Sequence, residues 1–101
     1  MNAEPVGYHP PAMAAFPSGS AWAMARDISE GYIMVTELTY RRLTSPELDK
    51  LSFELGRLLR DLRAEQPDLA DTLAVQKRNR RIQRINGAVV MLRAFRLKRK
   101  R

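Results

Sequence analysis

Leu48, Leu51, Leu55, Leu58 and Leu62 recur at spacings of three, four, three and four residues. That period lays apolar side chains along one stripe of an α-helix. Leu59 and Phe53 widen the stripe, while Asp49, Lys50, Glu54, Arg57, Arg60, Asp61 and Arg63 fill the opposite face. The run opens with Thr44-Ser45-Pro46-Glu47: a hydroxyl to cap the helix, a proline in its first turn, and a glutamate three residues after the threonine, as in a capping box. Pro67 is the stop signal. The pattern predicts a helix over residues 44–65.

A second helix is expected after Asp68, which would cap it, with apolar positions at Leu69, Leu73, Val75, Ile82, Ile85, Val89, Leu92 and Phe95. Ile82, Ile85, Val89 and Leu92 repeat the three-four-three spacing. Gly87 weakens the middle of this helix by roughly 1 kcal/mol relative to alanine. Gln76–Arg81 is polar all round, so this stretch either lacks an apolar partner or faces something charged. Two helices with matching seams and a short link fold back as an antiparallel hairpin. Phe53, Leu59, Val90, Met91 and Leu97 lie off the seam and need cover, from residues 22–43, a second copy of the chain or a larger assembly.

Upstream of the hairpin the pattern changes. Tyr32–Tyr40, rich in β-branched and aromatic residues, reads as a short strand. Residues 1–33 read as an extension: Pro5, Pro10, Pro11 and Pro17 block regular structure, so residues 1–20 are expected to form a disordered tail. Ala21–Arg26 has the makings of a helical turn, with Trp22 available for packing. Met34 opens a stretch that reads as a small protein of its own, so a start codon placed too early is another reading of the extension. The expected fold is therefore mainly α: an antiparallel two-helix hairpin over residues 34–101, behind a disordered Pro-rich N-terminal tail.

Charge changes this picture more than any other property. The 101-residue chain carries a formal net charge of +7, which points to polyanionic partners and says nothing about fold. From Met34 to Asp71 there are six Lys/Arg against eight Asp/Glu, whereas from Lys77 to Arg101 there are eleven Lys/Arg and no acid. The cations form two clusters: Lys77, Arg78, Arg80, Arg81 and Arg84, then Arg93, Arg96, Lys98, Arg99, Lys100 and Arg101. Cations near a helix C-terminus are favoured by the macrodipole, but that accounts for one or two. Arginine dominates the first cluster, and guanidinium groups bind phosphate in a bidentate way and stack on bases. Asn79, Gln83 and Asn86 lie among the cations, within reach of base edges or 2′-hydroxyls. All eleven cations are candidate nucleic-acid contacts, and the Arg-rich helix favours RNA over DNA.

LTSPELDKLSFELGRLLRDLR and RRIQRINGAVVMLR, at residues 43–92, resemble the two helices of the ribosomal large-subunit protein L-twenty-nine family, with a Leu-rich first helix ending in Leu-Arg and an Arg-rich stretch leading into an Ile-x-Arg-Ile core. The resemblance implies a small two-helix hairpin seated on ribosomal RNA, with Arg80, Arg81 and Arg84 facing it. Gln66-Pro67-Asp68 stands where the family carries a Gly-Gln segment, and residues 1–33 have no counterpart in it.

Other function classes fall away. There is no cysteine, hence no thiolate nucleophile, thiolate metal site or disulfide. The one histidine, His9, sits among prolines in the expected tail. No Gly-rich phosphate loop and no metal-ligand spacing occurs, so neither a catalytic site, a metal nor a cofactor is expected, and the chain does not read as an enzyme. No apolar run approaches the roughly 18–20 residues of a membrane span, and a cytoplasmic location is expected. Two rivals to RNA binding remain. One is a dimeric DNA-binding regulator, in which Tyr32–Tyr40 or the first helix pairs two copies. The other is an interaction protein that docks its amphipathic Ala88–Leu97 segment on a partner or an anionic membrane.

Overall fold

The computed structural model describes residues 16–99. Its elements are four helices: α1 (Ala21–Glu30), α2 (Glu37–Arg41), α3 (Ser45–Ala64) and α4 (Thr72–Arg99). No described residue is in a strand, and no described helix is long and apolar enough to cross a membrane.

Local chemistry sets the helix boundaries. Thr44 and Glu47 form the capping box at the start of α3, with the Thr44 hydroxyl accepting from the Glu47 N–H at 3.3 Å and the Glu47 carboxylate accepting from the Thr44 N–H at 2.7 Å. Thr36 and Thr39 form a similar reciprocal pair at α2. The expected strand at Tyr32–Tyr40 is therefore replaced by an irregular link and one short capped helix; the threonines cap helix N-termini rather than pair across a sheet. The cap of α4 is Asp71, not Asp68. The Asp71 carboxylate accepts from the Ala74 N–H at 3.1 Å, while Asp68 closes a turn by accepting from the Ala70 N–H at 2.9 Å.

The leucine stripe of α3 faces inward as its period requires: Leu48, Leu51, Leu55 and Leu62 are buried and Leu58 is partly so. Ile85, Ala88, Leu92 and Phe95 of α4 meet it. Arg78 lies by Leu62 and Arg96 by Asp49, so the two long helices run antiparallel.

The N-terminal segment departs most from expectation. Only residues 1–15 of the expected tail lie outside the described residues. Phe16 is buried, and Ser20 caps α1 by accepting from the Ala23 N–H at 3.1 Å. Helix α1 sets Ala21, Met24, Ala25 and Ile28 into the core against both α3 and α4. The chain thus supplies its own cover for the seam that two helices leave open. Full burial of a Met or Ile side chain contributes roughly 1.5–3 kcal/mol, enough to hold a ten-residue helix that would be marginal alone. Tyr40 and Leu43 close the other end, both almost fully buried. Phe53, Val90 and Leu97 stay well exposed, and Met91 is partly exposed.

A candidate nucleic-acid interface

Helix α4 touches each of the other helices, and its cations make many of those contacts. A helix leaves its last carbonyls without intrahelical partners, and nearby arginines can satisfy them. Arg84 donates to the Ser29 carbonyl in the last turn of α1 at 3.0 Å. Arg99 donates to the Leu43 and Arg41 carbonyls at the end of α2, at 2.8 and 3.3 Å. Arg78 donates to the Leu62 and Arg63 carbonyls in the last turn of α3, at 2.9 and 3.3 Å. One arginine of α4 therefore serves the C-terminus of each other helix. Within the polar stretch Gln76–Arg81, Arg78 reaches the carbonyls of α3 and Arg81 the acid that ends α1.

Three more cations form ion pairs. Arg81 meets Glu30 at 3.0 Å, Arg96 meets Asp49 at 2.6 Å, and Lys98 meets Glu37 at 2.9 Å. The Lys98 hydrogen bond, with that from Arg41, holds the Glu37 carboxylate below its ordinary range. Arg99 also lies over the Phe95 ring, 5.0 Å from its centroid. Six of the expected nucleic-acid contacts (Arg78, Arg81, Arg84, Arg96, Lys98 and Arg99) are thus engaged within the chain. Lys77, Arg80 and Arg93 make no hydrogen bond or ion pair among the described residues; Lys100 and Arg101 lie outside them.

Lys77, Arg80, Arg81 and Arg84 come together along an open groove of about 210 Å³, where Glu30 is the one acid. These residues lie at spacings of three, one and three on α4, so they share one side of the helix. Arg93, Arg96, Lys98 and Arg99 lie one or more turns further along and line no part of the groove. Asn79 and Gln83 are exposed and Asn86 is partly exposed on the adjoining face.

The groove rests on a glycine that the sequence pattern did not single out. Gly31 ends α1 with φ 82°, the left-handed conformation that glycine adopts without steric cost. A Cβ there would lie 3.0 Å from the Arg84 guanidinium carbon. The same residue thus turns the chain and lets Arg84 lie across the end of α1. A glycine just after an apolar helical run is a legible stop signal; its contact with Arg84, more than fifty residues on, is not.

No protein-family model matches the chain, and no curated protein or solved structure matches it.

Proposed function

We propose that the chain binds nucleic acid, RNA in preference to DNA, through the groove on the N-terminal half of α4. The observation that carries the reading is the convergence of Lys77, Arg80, Arg81 and Arg84 on one open groove opposite a single carboxylate. Lys77 and Arg80 act as unencumbered phosphate contacts. Arg81 and Arg84, anchored to Glu30 and Ser29, present their remaining N–H donors in fixed positions, and such preorganised guanidinium forks suit phosphate. Asn79, Gln83 and Asn86 supply polar contacts beside the phosphate track. The C-terminal cations contribute long-range attraction rather than the primary contacts, with Arg96, Lys98 and Arg99 tied to carbonyls or acids. The resemblance of residues 43–92 to the L-twenty-nine ribosomal proteins agrees with RNA as the target and with a place in a ribonucleoprotein. The antiparallel pairing of α3 and α4 is the element the two would share.

The test is a salt titration against structured RNA and duplex DNA, with the wild-type chain and with Lys77→Ala and Arg80→Ala. Four phosphate contacts at about 0.7–0.9 each give roughly three log units of affinity per decade of salt, and each variant flattens the slope by about one unit. Absence of RNA binding near physiological salt, or binding indifferent to both variants, would refute the reading.

A further inference from the structure

An apolar groove of about 450 Å³ lies beside the cationic one and shares Arg84 with it. Its walls are Ile28, Ile33, Val35 and Ala88, and Met34 and Met91 stand at its rim. Met34 is 87% exposed and Met91 39%. Neighbouring exposed methionines form an adaptable apolar surface of the kind used to grip partner helices.

Gly87 also lines the groove. It is exposed in the middle of α4, and a Cβ built on it would meet nothing within 4 Å. Its φ is not positive. Neither backbone conformation nor packing within the chain therefore calls for glycine at a position where it weakens the helix. What glycine does provide there is bare backbone, open to close approach from outside.

We infer that this groove is a docking site for an acidic amphipathic helix of a partner protein. From Arg84 to Met91 the groove follows two turns of α4, about 10 Å, which suits a helix laid along it with apolar anchors at three- and four-residue spacing. Arg84 at one end and Lys77 and Arg80 beyond it complement acids on the incoming helix, and the groove itself has no acidic lining residue. Its lining has no aromatic ring either, so it offers an unstacked base no ring to stack on.

The experiment uses the full chain and a fluorescein-labelled synthetic helix of eighteen residues or so, with leucine on one face and glutamate elsewhere. A lysine-for-glutamate counterpart serves as the control. Fluorescence anisotropy is expected to show salt-sensitive binding of the acidic peptide only. Met91→Asp and Gly87→Leu should each weaken it at least tenfold while leaving RNA affinity in place and the circular-dichroism spectrum helical. Gly87→Ala should raise the melting temperature yet weaken the peptide. Three results would overturn the inference: equal binding of the lysine peptide, binding of the acidic peptide indifferent to Met91→Asp, or concentration-dependent dimerisation in sedimentation that Met91→Asp abolishes. RNA binding is read on the same proteins, and because Met91 lines the apolar groove and not the cationic one, Met91→Asp is expected to lose the peptide and keep the RNA, so loss of one activity is separable from loss of the other.

Discussion

The phenol of Tyr40 donates a 2.7 Å hydrogen bond to the backbone carbonyl of Ala88, 48 positions further along the chain. Tyr40 is fully buried, and its ring lies 6.0 Å from that of Phe95 at a tilt of 44°. The contact fixes the short helix α2 against the middle of α4, next to Gly87.

Tyr40→Phe should lower stability by about 0.5–1.5 kcal/mol, the usual net value of one buried hydrogen bond, with the ring packing retained. Burial also pushes the Tyr40 phenol well above its ordinary value of 10.0. Above pH 10 the unfolded chain releases this proton and the folded chain keeps it, so stability falls as pH rises through that window. Urea unfolding between pH 9 and 11 should show a smaller alkaline loss in Tyr40→Phe than in the wild type.

Arg80 and Arg84 lie four residues apart in the same groove but should behave differently. Arg84→Ala removes a partner of the last turn of α1 and should cost about 1.5 kcal/mol in stability, at the low end of the range for hydrogen bonds to charged groups because the side chain is only part-buried. Arg80→Ala should stay within about 0.5 kcal/mol of wild type. Paired thermal melts distinguish the two, and they determine which variant is a clean probe of nucleic-acid binding.

Gly31→Ala should be among the more damaging single changes, at more than 1 kcal/mol, because it combines a left-handed backbone with a 3.0 Å approach to Arg84. Gly56→Ala is the counterpart. A Cβ at Gly56 meets nothing within 4 Å, so the helix-propensity gain of about 0.5–1 kcal/mol should appear as higher stability. Chemical denaturation of both variants measures the contrast.

Acid should loosen α2 from α4. The hydrogen bonds from Lys98 and Arg41 hold Glu37 below its ordinary value of 4.5. The stabilisation is present above that value and disappears as pH falls through the lower folded value. Because the pair is exposed, the effect should be small and sensitive to salt. The acid limb of a pH–stability curve should flatten in Glu37→Gln.

The mainly helical class, the inward stripe of α3 and its Thr44–Glu47 cap were legible in the sequence, whereas the expected two-helix hairpin gives way to a fold of four helices. Each legible feature rests on local spacing: a 3.6-residue period or a side chain reaching three residues along the chain. The strand expected at Tyr32–Tyr40 failed because β propensity is decided by cross-strand neighbours, and the sequence offered none. Thr36 and Thr39 instead met each other as a helix cap. For residues 16–30 the sequence offered a helical turn at Ala21–Arg26 and, in residues 22–43, one of three covers for the seam; the burial itself was missed for a related reason. The prolines near the N-terminus dominate its composition, whereas burial of Phe16, Met24 and Ile28 depends on a cleft that exists only once α3 and α4 have paired.

The eleven cations between Lys77 and Arg101 mark the boundary most clearly. The sequence by itself determined their number and their segregation from acid. Only the tertiary structure decided what they do. The carbonyls that Arg78, Arg84 and Arg99 satisfy belong to the ends of three other helices, and a helix end exposes its unpaired carbonyls at a point in space that no one-dimensional spacing records. Arg80 differs from these arginines in no property visible along the chain, and Lys77 lies on the same side of the helix as Arg80. Among the described residues neither forms a hydrogen bond or ion pair, although both line the groove that they share with Glu30 at the end of α1.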